Sequence, residues 1–299
     1  MVVLVTGANG QLANCIKEIV VKDKFMENSF LFLSKEELDI TDIEEIENIF
    51  EKHDIGVVVN CAAYTNVDEA INNVEIAYKI NSRGPLNLAL CAKNYGAKLI
   101  HISTDYVFDG TNNKPYKPAD ITRACGVYGS SKLSGEESIF NFDNTMIIRT
   151  SWLYSNYGKN FYKTMLNRIK NNQETHVVDD QVGTPTYAMD LANYILDLIE
   201  LDNIPHSIIH YSNQGCCSWY DFAKTIEIIH KHFSQEKLMN ENIIKPCSTY
   251  DYWMKYNGKK TMRPTYSVLA KIGTEELNDK PIKHWIESLY KCYIDSFNK

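Results

Sequence analysis

Apolar residues follow two rhythms along this chain. Residues 2–6, 29–33, 56–61, 98–103 and 145–150 are short runs rich in Val, Ile and Leu. Runs such as Val57-Val58-Val59 do not alternate with polar residues, which suits strands covered on both faces. Between these runs the spacing lengthens to that of helices, at 11–21, from Ile43 through Ile46 and Ile49, at 74–95, and at 128–140. Thr41-Asp42-Ile43-Glu44 has the form of a capping box, and Gly96 is placed to end the long helix before it. Strands alternating with helices of this length predict βαβ units and a doubly wound parallel sheet.

Beyond residue 150 the pattern loosens. Helices are predicted at 160–170, 189–200 and 218–232. The last opens on the N-cap signature Ser218-Trp219-Tyr220-Asp221, with Phe222, Ile226 and Ile229 on one face. Residues 208–211 read as a late strand returning to the main sheet. The expected division is an α/β domain over residues 1–170, rejoined by elements around 177–212, and a smaller mixed α/β lobe over 213–299. Parts of 151–187 should contribute to that lobe. No repeat or linker separates the two, so they should pack directly.

Composition narrows the classes. With 299 residues, 44% hydrophobic and 23% charged, the chain can build a core without staples. A net charge of −7 argues against nucleic acid or an anionic membrane as the main partner. A negatively charged small substrate stays open, because a local cationic pocket does not show in the sum. No apolar run of about 18 residues occurs, so no membrane span is expected. The first residues enter an apolar run without a basic segment or cleavage signal, and a cytoplasmic location is expected. The eight cysteines form no C-x-x-C and read as reduced, mostly buried thiols.

Chemistry first enters at Thr6-Gly7-Ala8-Asn9-Gly10-Gln11-Leu12-Ala13, between the first strand and the first helix. Glycines there let backbone approach a pyrophosphate, which the N–H groups and positive end of the helix then face. The spacing is Gly-x-x-Gly-x-x-Ala, with Ala13 as the small residue that eases helix–strand packing. The second strand ends on Ser34 and Lys35 rather than on an acidic residue. A hydroxyl and a cation suit a ribose 2′-phosphate, so NADPH is expected, with NADH as the alternative. Asp39 and Ile40, a few residues on, are placed toward the adenine side.

Tyr128-Gly129-Ser130-Ser131-Lys132 puts a tyrosine and a lysine one helical turn apart. An ammonium beside a phenol favours the phenolate and lowers its pKa from near 10, and the same lysine can hold a ribose. As a bare pattern this pair arises often by chance; the cradle gives it weight. Ser103-Thr104-Asp105-Tyr106 lies at the carboxyl end of the fourth strand, where open α/β sheets bind ligands. There Thr104 could bond a carbonyl oxygen beside the Tyr128 proton donor.

These residues resemble the extended short-chain dehydrogenase/reductase superfamily, and within it the dTDP-4-dehydrorhamnose reductase family. The Gly7/Gly10 cradle is common to the superfamily. Asn60-Cys61-Ala62-Ala63-Tyr64-Thr65-Asn66-Val67-Asp68, Ser103 to Gly110, Tyr128 to Glu136, Arg149-Thr150-Ser151-Trp152-Leu153-Tyr154 and Gly183-Thr184-Pro185-Thr186 are more specific. The resemblance implies a Rossmann domain with a small C-terminal substrate lobe, and reduction of a sugar C4 keto group to give dTDP-L-rhamnose. It implies Tyr128 as proton donor, Lys132 as its support and Thr104 as carbonyl-orienting group. Gly7, Asn9, Gly10, Gln11, Leu12, Ser34, Lys35, Asp39, Ile40, Cys61, Ala62, Ala63, Tyr64 and Ser103 would line the cofactor with Tyr128 and Lys132. Val67, Thr104, Asp105, Tyr106, Trp152 and Arg263 would border the nucleotide-sugar substrate, Trp152 as an aromatic wall.

Three departures stand out: Ala13 for a third glycine, Cys61 in a run usually all alanine, and Gly126 where Asn is common. Some family dimers share a magnesium held by glutamates on the first helix and near the Gly-Thr-Pro segment. Here Cys15 and Met189-Asp190 stand in those regions, so no metal is expected, and a monomer or a homodimer both remain open. His230 and His232, two apart, do not share a helix face. Other readings are a nucleotide-sugar epimerase or dehydratase, and a non-catalytic NADP-binding regulatory subunit. For the dehydratase the second carboxylate is missing, since Tyr106 follows Asp105.

Overall fold

The computed structural model describes residues 1–22, 29–201, 204–234, 243–256 and 262–297. Its centre is a six-stranded, all-parallel sheet in the order β2-β1-β3-β4-β5-β10. The strands are β1 (Val2–Thr6), β2 (Phe30–Leu33), β3 (Ile55–Asn60), β4 (Lys98–Thr104), β5 (Thr145–Thr150) and the late-returning β10 (Ser207–His210). Side chains alternate across the sheet, and both faces are apolar. Val3, Val5, Val57, Val59, Ile100, Met146 and Ile148 point to α1 (Gln11–Lys22) and α7 (Ala188–Ile199). Leu4, Val58, Leu99 and Ile147 point to the opposite layer. That layer is α2 (Ile43–Lys52), α4 (Gly84–Asn94) and α5 (Gly126–Ile139). This two-sided burial is why the strands read as continuous apolar runs.

Two local expectations are corrected. The N-cap of α2 is Asp42, whose carboxylate accepts from the N–H groups of Glu44 and Glu45; Thr41 instead donates its hydroxyl to Asp39. The long helix is not uniform: α3 (Val74–Tyr78) passes into a π turn at Lys79–Arg83 before α4 begins. Asn81, fully buried in that turn, bonds the backbone of Tyr64 with its side chain, and such insertions often mark functional sites. Gly96 ends α4 in left-handed backbone (φ 72°), with Ala97 N–H on Ala92 O and Gly96 N–H on Lys93 O.

The second core lies C-terminal to this. It gathers Tyr154 of β6 (Leu153–Tyr154), Tyr162 and Ile169 of α6 (Phe161–Lys170), and Val177 of β7 (Thr175–Val178). Phe222, Ile226 and Ile229 come from α8 (Trp219–Phe233), whose Ser218–Asp221 capping box is present as read. Ile244 of β12 (Ile244–Cys247) and Leu289 of α10 (Trp285–Asp295) close it. Small pairings complete the lobe: β8 (Val182–Gly183) with β11 (Cys217–Ser218), β6 with β9 (Thr186–Tyr187), and β7 with β12, which α9 (Thr249–Tyr256) follows. Among the described residues no helix is long and apolar enough to cross a membrane.

Candidate active site

The ends of β1 and β3 meet at one point of the sheet edge. After β1 the chain enters left-handed backbone at Gly7 (φ 66°), and Gly10 N–H closes the turn on Gly7 O at 2.8 Å. Gly7 abuts the segment after β3 so closely that a Cβ would stand 2.8 Å from both N and Cα of Ala62. Backbone alone can occupy this place. With β2 on one side of β1 and β3 on the other, the contact sits where the winding of the sheet reverses, the usual ligand crevice of open α/β sheets. Asn9 and Gly10 are exposed there, while Leu12 and Ala13 are buried beneath. Gln11 turns elsewhere: its Oε1 accepts from Ser155 Oγ (3.1 Å) and Asn160 Nδ2 (2.8 Å), tying α1 to the chain after β6.

At the end of β2, Ser34 is buried and donates its N–H to the Glu37 carboxylate at 2.8 Å, while Lys35 is exposed. Asp39 forms a turn, its Oδ1 accepting from Thr41 N–H (2.9 Å) and hydroxyl (2.7 Å). Ile40 is buried against Gly84. Cys61, Ala62, Ala63 and Tyr64 are half-buried along the segment after β3, and burial pushes the Cys61 thiol up to about 12.

Helix α5 delivers Tyr128 and Lys132 to the end of β4. It starts from Gly126 in left-handed backbone (φ 67°), a conformation asparagine also tolerates. Gly129 lets the helix close on the β4 loop, since a Cβ would lie 2.3 Å from Tyr106 O. Thr104 Oγ1 accepts from Tyr106 N–H (3.2 Å) and donates to Asp105 Oδ1 (3.1 Å). Burial pushes the Tyr128 phenol up to about 12, against a hydrogen bond with the Thr104 side chain. The Tyr106 ring meets Tyr128 edge-on, centroids 5.4 Å apart. Burial also raises the Asp105 carboxyl to about 6, outweighing the Ser267 and Thr104 hydroxyls.

Lys132 is 2% exposed. Its Nζ donates to Ile102 O at 2.6 Å and lies 3.3 Å from His101 Nε2. Burial pushes it down to about 8, against the attraction of Glu136. This differs from the simple expectation of an ammonium lowering the tyrosine: Nζ is drawn into the sheet, and Tyr128 stays a high-pKa phenol. The Ser103 hydroxyl is likewise committed, donating to Glu136, whose carboxylate is gripped by Arg149 at 2.7 Å.

Across the cleft, Trp152 holds left-handed backbone (φ 47°), and its indole stacks on Trp219 at 3.6 Å and 7°. Val67 is half-buried, and beside it Asp68 pairs with Arg263 at 3.1 Å, an ion pair between the β3 loop and the C-terminal lobe.

Residues 1–297 match the family described as RmlD substrate binding domain. The spore coat polysaccharide biosynthesis protein SpsK of Bacillus subtilis is 40% identical over 288 residues, 96% of this chain and 95% of that protein. The dTDP-4-dehydrorhamnose reductase of Aggregatibacter actinomycetemcomitans is 39% identical over 83% of this chain and 85% of its own. The crystal structure of dTDP-4-dehydrorhamnose reductase from Bacillus anthracis in complex with NADP superposes with a TM-score of 0.86, at 35% identity, covering 98% of this chain and 99% of that one.

The chain belongs to the dTDP-4-dehydrorhamnose reductase (RmlD) family.

Within this RmlD-family protein, several residues at the site carry no signal that spacing alone reveals. Asn60 and His101 lie beneath the cradle, and Asn81 joins the loop after β3 to α5 through Tyr64 and Ser131. Trp219 backs Trp152. Among the described residues no cluster of three or more His, Cys, Asp or Glu is placed to hold a metal ion. Asp190 is engaged with Asn213, Ser288 and Lys283. His230 Nδ1 lies 2.8 Å from the Tyr293 hydroxyl. Of the eight cysteines, Cys216 is exposed, and Cys15, Cys91, Cys125, Cys217 and Cys292 are buried.

Proposed function

We propose that this protein reduces the C4 keto group of a dTDP-4-keto-6-deoxy sugar with NADPH, giving dTDP-L-rhamnose, in the cytoplasm, as a monomer or homodimer. The observation that carries this is the placement of Tyr128 against the loop that follows Thr104, with Lys132 one turn on, at the same sheet edge as the Gly7–Ala62 cradle. Residues 1–170 and the elements that return around 177–212 hold the cofactor. Residues 213–299, with parts of 151–187, close over the sugar nucleotide.

The cradle suits a dinucleotide, because Gly7 leaves open the space a Cβ would take and its turn leads into α1. When bound, NADPH supplies the hydride for C4. Gly7, Asn9, Gly10 and the start of α1 face the pyrophosphate. Ser34 and Lys35 serve the 2′-phosphate, with Asp39 and Ile40 toward the adenine. Cys61 to Tyr64 and Ser103 line the inner half, and Lys132 takes the ribose hydroxyls. Thr104 turns its hydroxyl from Asp105 toward the C4 oxygen, and Tyr128 gives that oxygen a proton. A phenol near 12 is fully protonated at neutral pH and is still more acidic than the alcohol formed at C4, so proton transfer to the developing alkoxide runs downhill. Val67, Asp105, Tyr106 and Trp152 border the sugar, the indole against its C6 methyl side. Arg263 stands at the rim for the diphosphate.

The test follows NADPH and NADH absorbance separately with dTDP-4-keto-6-deoxy-L-mannose formed in situ. Rapid oxidation with dTDP-L-rhamnose as product, faster with NADPH, is the expected result. Silence with both cofactors, in protein shown to bind them, would sink the reading.

A further inference from the structure

Beneath the cradle, buried polar side chains run across three parallel strands to α5. Thr6 Oγ1 on β1 donates to Asn60 Oδ1 on β3 at 2.7 Å. Asn60 Nδ2 lies 3.0 Å from His101 Nδ1 on β4, and His101 Nε2 lies 3.3 Å from Lys132 Nζ. Thr6, Asn60 and His101 are 1%, 1% and 0% exposed.

The direction of this chain follows from one end. Ala62 N–H also donates to Asn60 Oδ1, at 3.1 Å. A backbone N–H only donates, so the amide oxygen must be on that side and the amide NH₂ must face His101. His101 Nδ1 therefore accepts and bears no proton. Burial, then the neighbouring Lys132, hold the imidazole far below its usual pKa, so it is neutral. A neutral imidazole whose Nδ1 is bare carries its proton on Nε2. That N–H points at Lys132 Nζ. An ammonium has three hydrogens and no lone pair, so it meets a donor where it needs an acceptor. The other groups acting on Nζ are Ile102 O, the Cys61 thiol after β3, and Glu136 one turn on along α5, already paired with Arg149.

We propose that His101 is a positioning residue: by offering Lys132 an N–H instead of a lone pair, it keeps the lysine from settling in the sheet as an ammonium, so that Lys132 takes up its proton as it swings to the ribose of the bound cofactor. This rests on the reading that Lys132 holds that ribose. Protonation and cofactor binding are then linked, each favouring the other. Because burial brings Lys132 down to about 8, the free protein holds mostly the neutral amine just above that pH.

The test has two readouts on the full chain. Nitrogen-15 NMR of histidine-labelled protein reports which nitrogen of His101 carries the proton. Calorimetry of NADPH binding at pH 8.5, in buffers of different ionisation enthalpy, counts protons. The expected results are the Nε2–H tautomer and an uptake of roughly half a proton or more, lost in Lys132→Met. Asn60→Asp keeps the acceptor for Thr6 and Ala62 but sets a second acceptor at Nδ1. It should move the proton there, abolish the uptake and weaken NADPH binding about tenfold. An Nδ1–H tautomer in the unaltered protein, or binding with less than half a proton taken up, overturns the inference and leaves the reductase reading intact. Failure to bind NADPH at all overturns both.

Discussion

Gly135 rests against the main chain of Asn81, so closely that a Cβ on the glycine would stand 2.1 Å from the Asn81 carbonyl oxygen. The asparagine side chain in turn accepts from Tyr64 N–H (2.8 Å) and donates to Tyr64 O (3.0 Å) and Ser131 Oγ (2.9 Å). The π turn, the loop after β3 and the helix bearing Tyr128 and Lys132 are thus one packed unit.

Gly135→Ala should therefore cost about 2–3 kcal/mol, because backbone rather than a flexible side chain opposes the added carbon. Asn81→Ala should cost a similar amount by stranding the Tyr64 backbone groups. Chemical denaturation measures both, and a Gly135→Ala protein as stable as the original would show that α5 does not depend on this approach.

Tyr128→Phe removes the proposed proton donor and little else. Its ring still packs edge-on with Tyr106. The variant should fold and bind NADPH normally while turnover falls by about 10²–10⁴. A near-normal kcat would remove Tyr128 from the chemistry.

Asp105 gives a pH-dependent prediction whose sign is fixed by its environment. Burial raises its carboxyl in the folded protein from 3.8 to about 6. The protonated form is thus favoured by folding. That contribution is full below about pH 4 and is lost as pH rises through about 6. Above pH 7 the ionised group costs about 3 kcal/mol relative to the unfolded chain. Asp105→Asn should raise the stability at pH 8 and leave it nearly unchanged at pH 4. Equal effects at the two pH values would contradict a raised carboxyl.

What could be read from sequence divides along physical lines. The sheet was legible because two-sided burial writes Val57-Val58-Val59 and its counterparts as continuous runs. The cradle was legible because Gly7 needs both its dihedral and its missing Cβ. The π turn was not, since it goes with Asn81 bonding a distant loop, which local spacing does not record. Nor was the α2 cap: Thr41 and Asp42 both suit the role, and only the fold commits Thr41 to Asp39. His101 in an apolar strand gives no pattern at all, because its partners come from β3 and α5. The smaller lobe was legible mainly in its helices, as its two-residue strands pair over long separations.

Left-handed backbone at a tryptophan costs about 1–2 kcal/mol, so something must hold Trp152 there. Two neighbours do. Trp219 stacks on the indole at 3.6 Å, and Gly183 leaves the space the ring fills, since a Cβ there would lie 2.5 Å from Trp152 Cε2. Neither belongs to the Gly7–Ala62 turn proposed to hold the cofactor. Trp219→Ala should let the indole turn away, raising KM for the sugar nucleotide about tenfold while kcat changes less and NADPH affinity is unaltered. Trp219→Phe should recover most of the loss by keeping a ring to stack on. If Trp219→Ala leaves KM unchanged, the indole is held by Gly183 and its own backbone alone, or it does not border the sugar; Trp152→Ala separates these, since only a wall that touches substrate raises KM when it is itself removed.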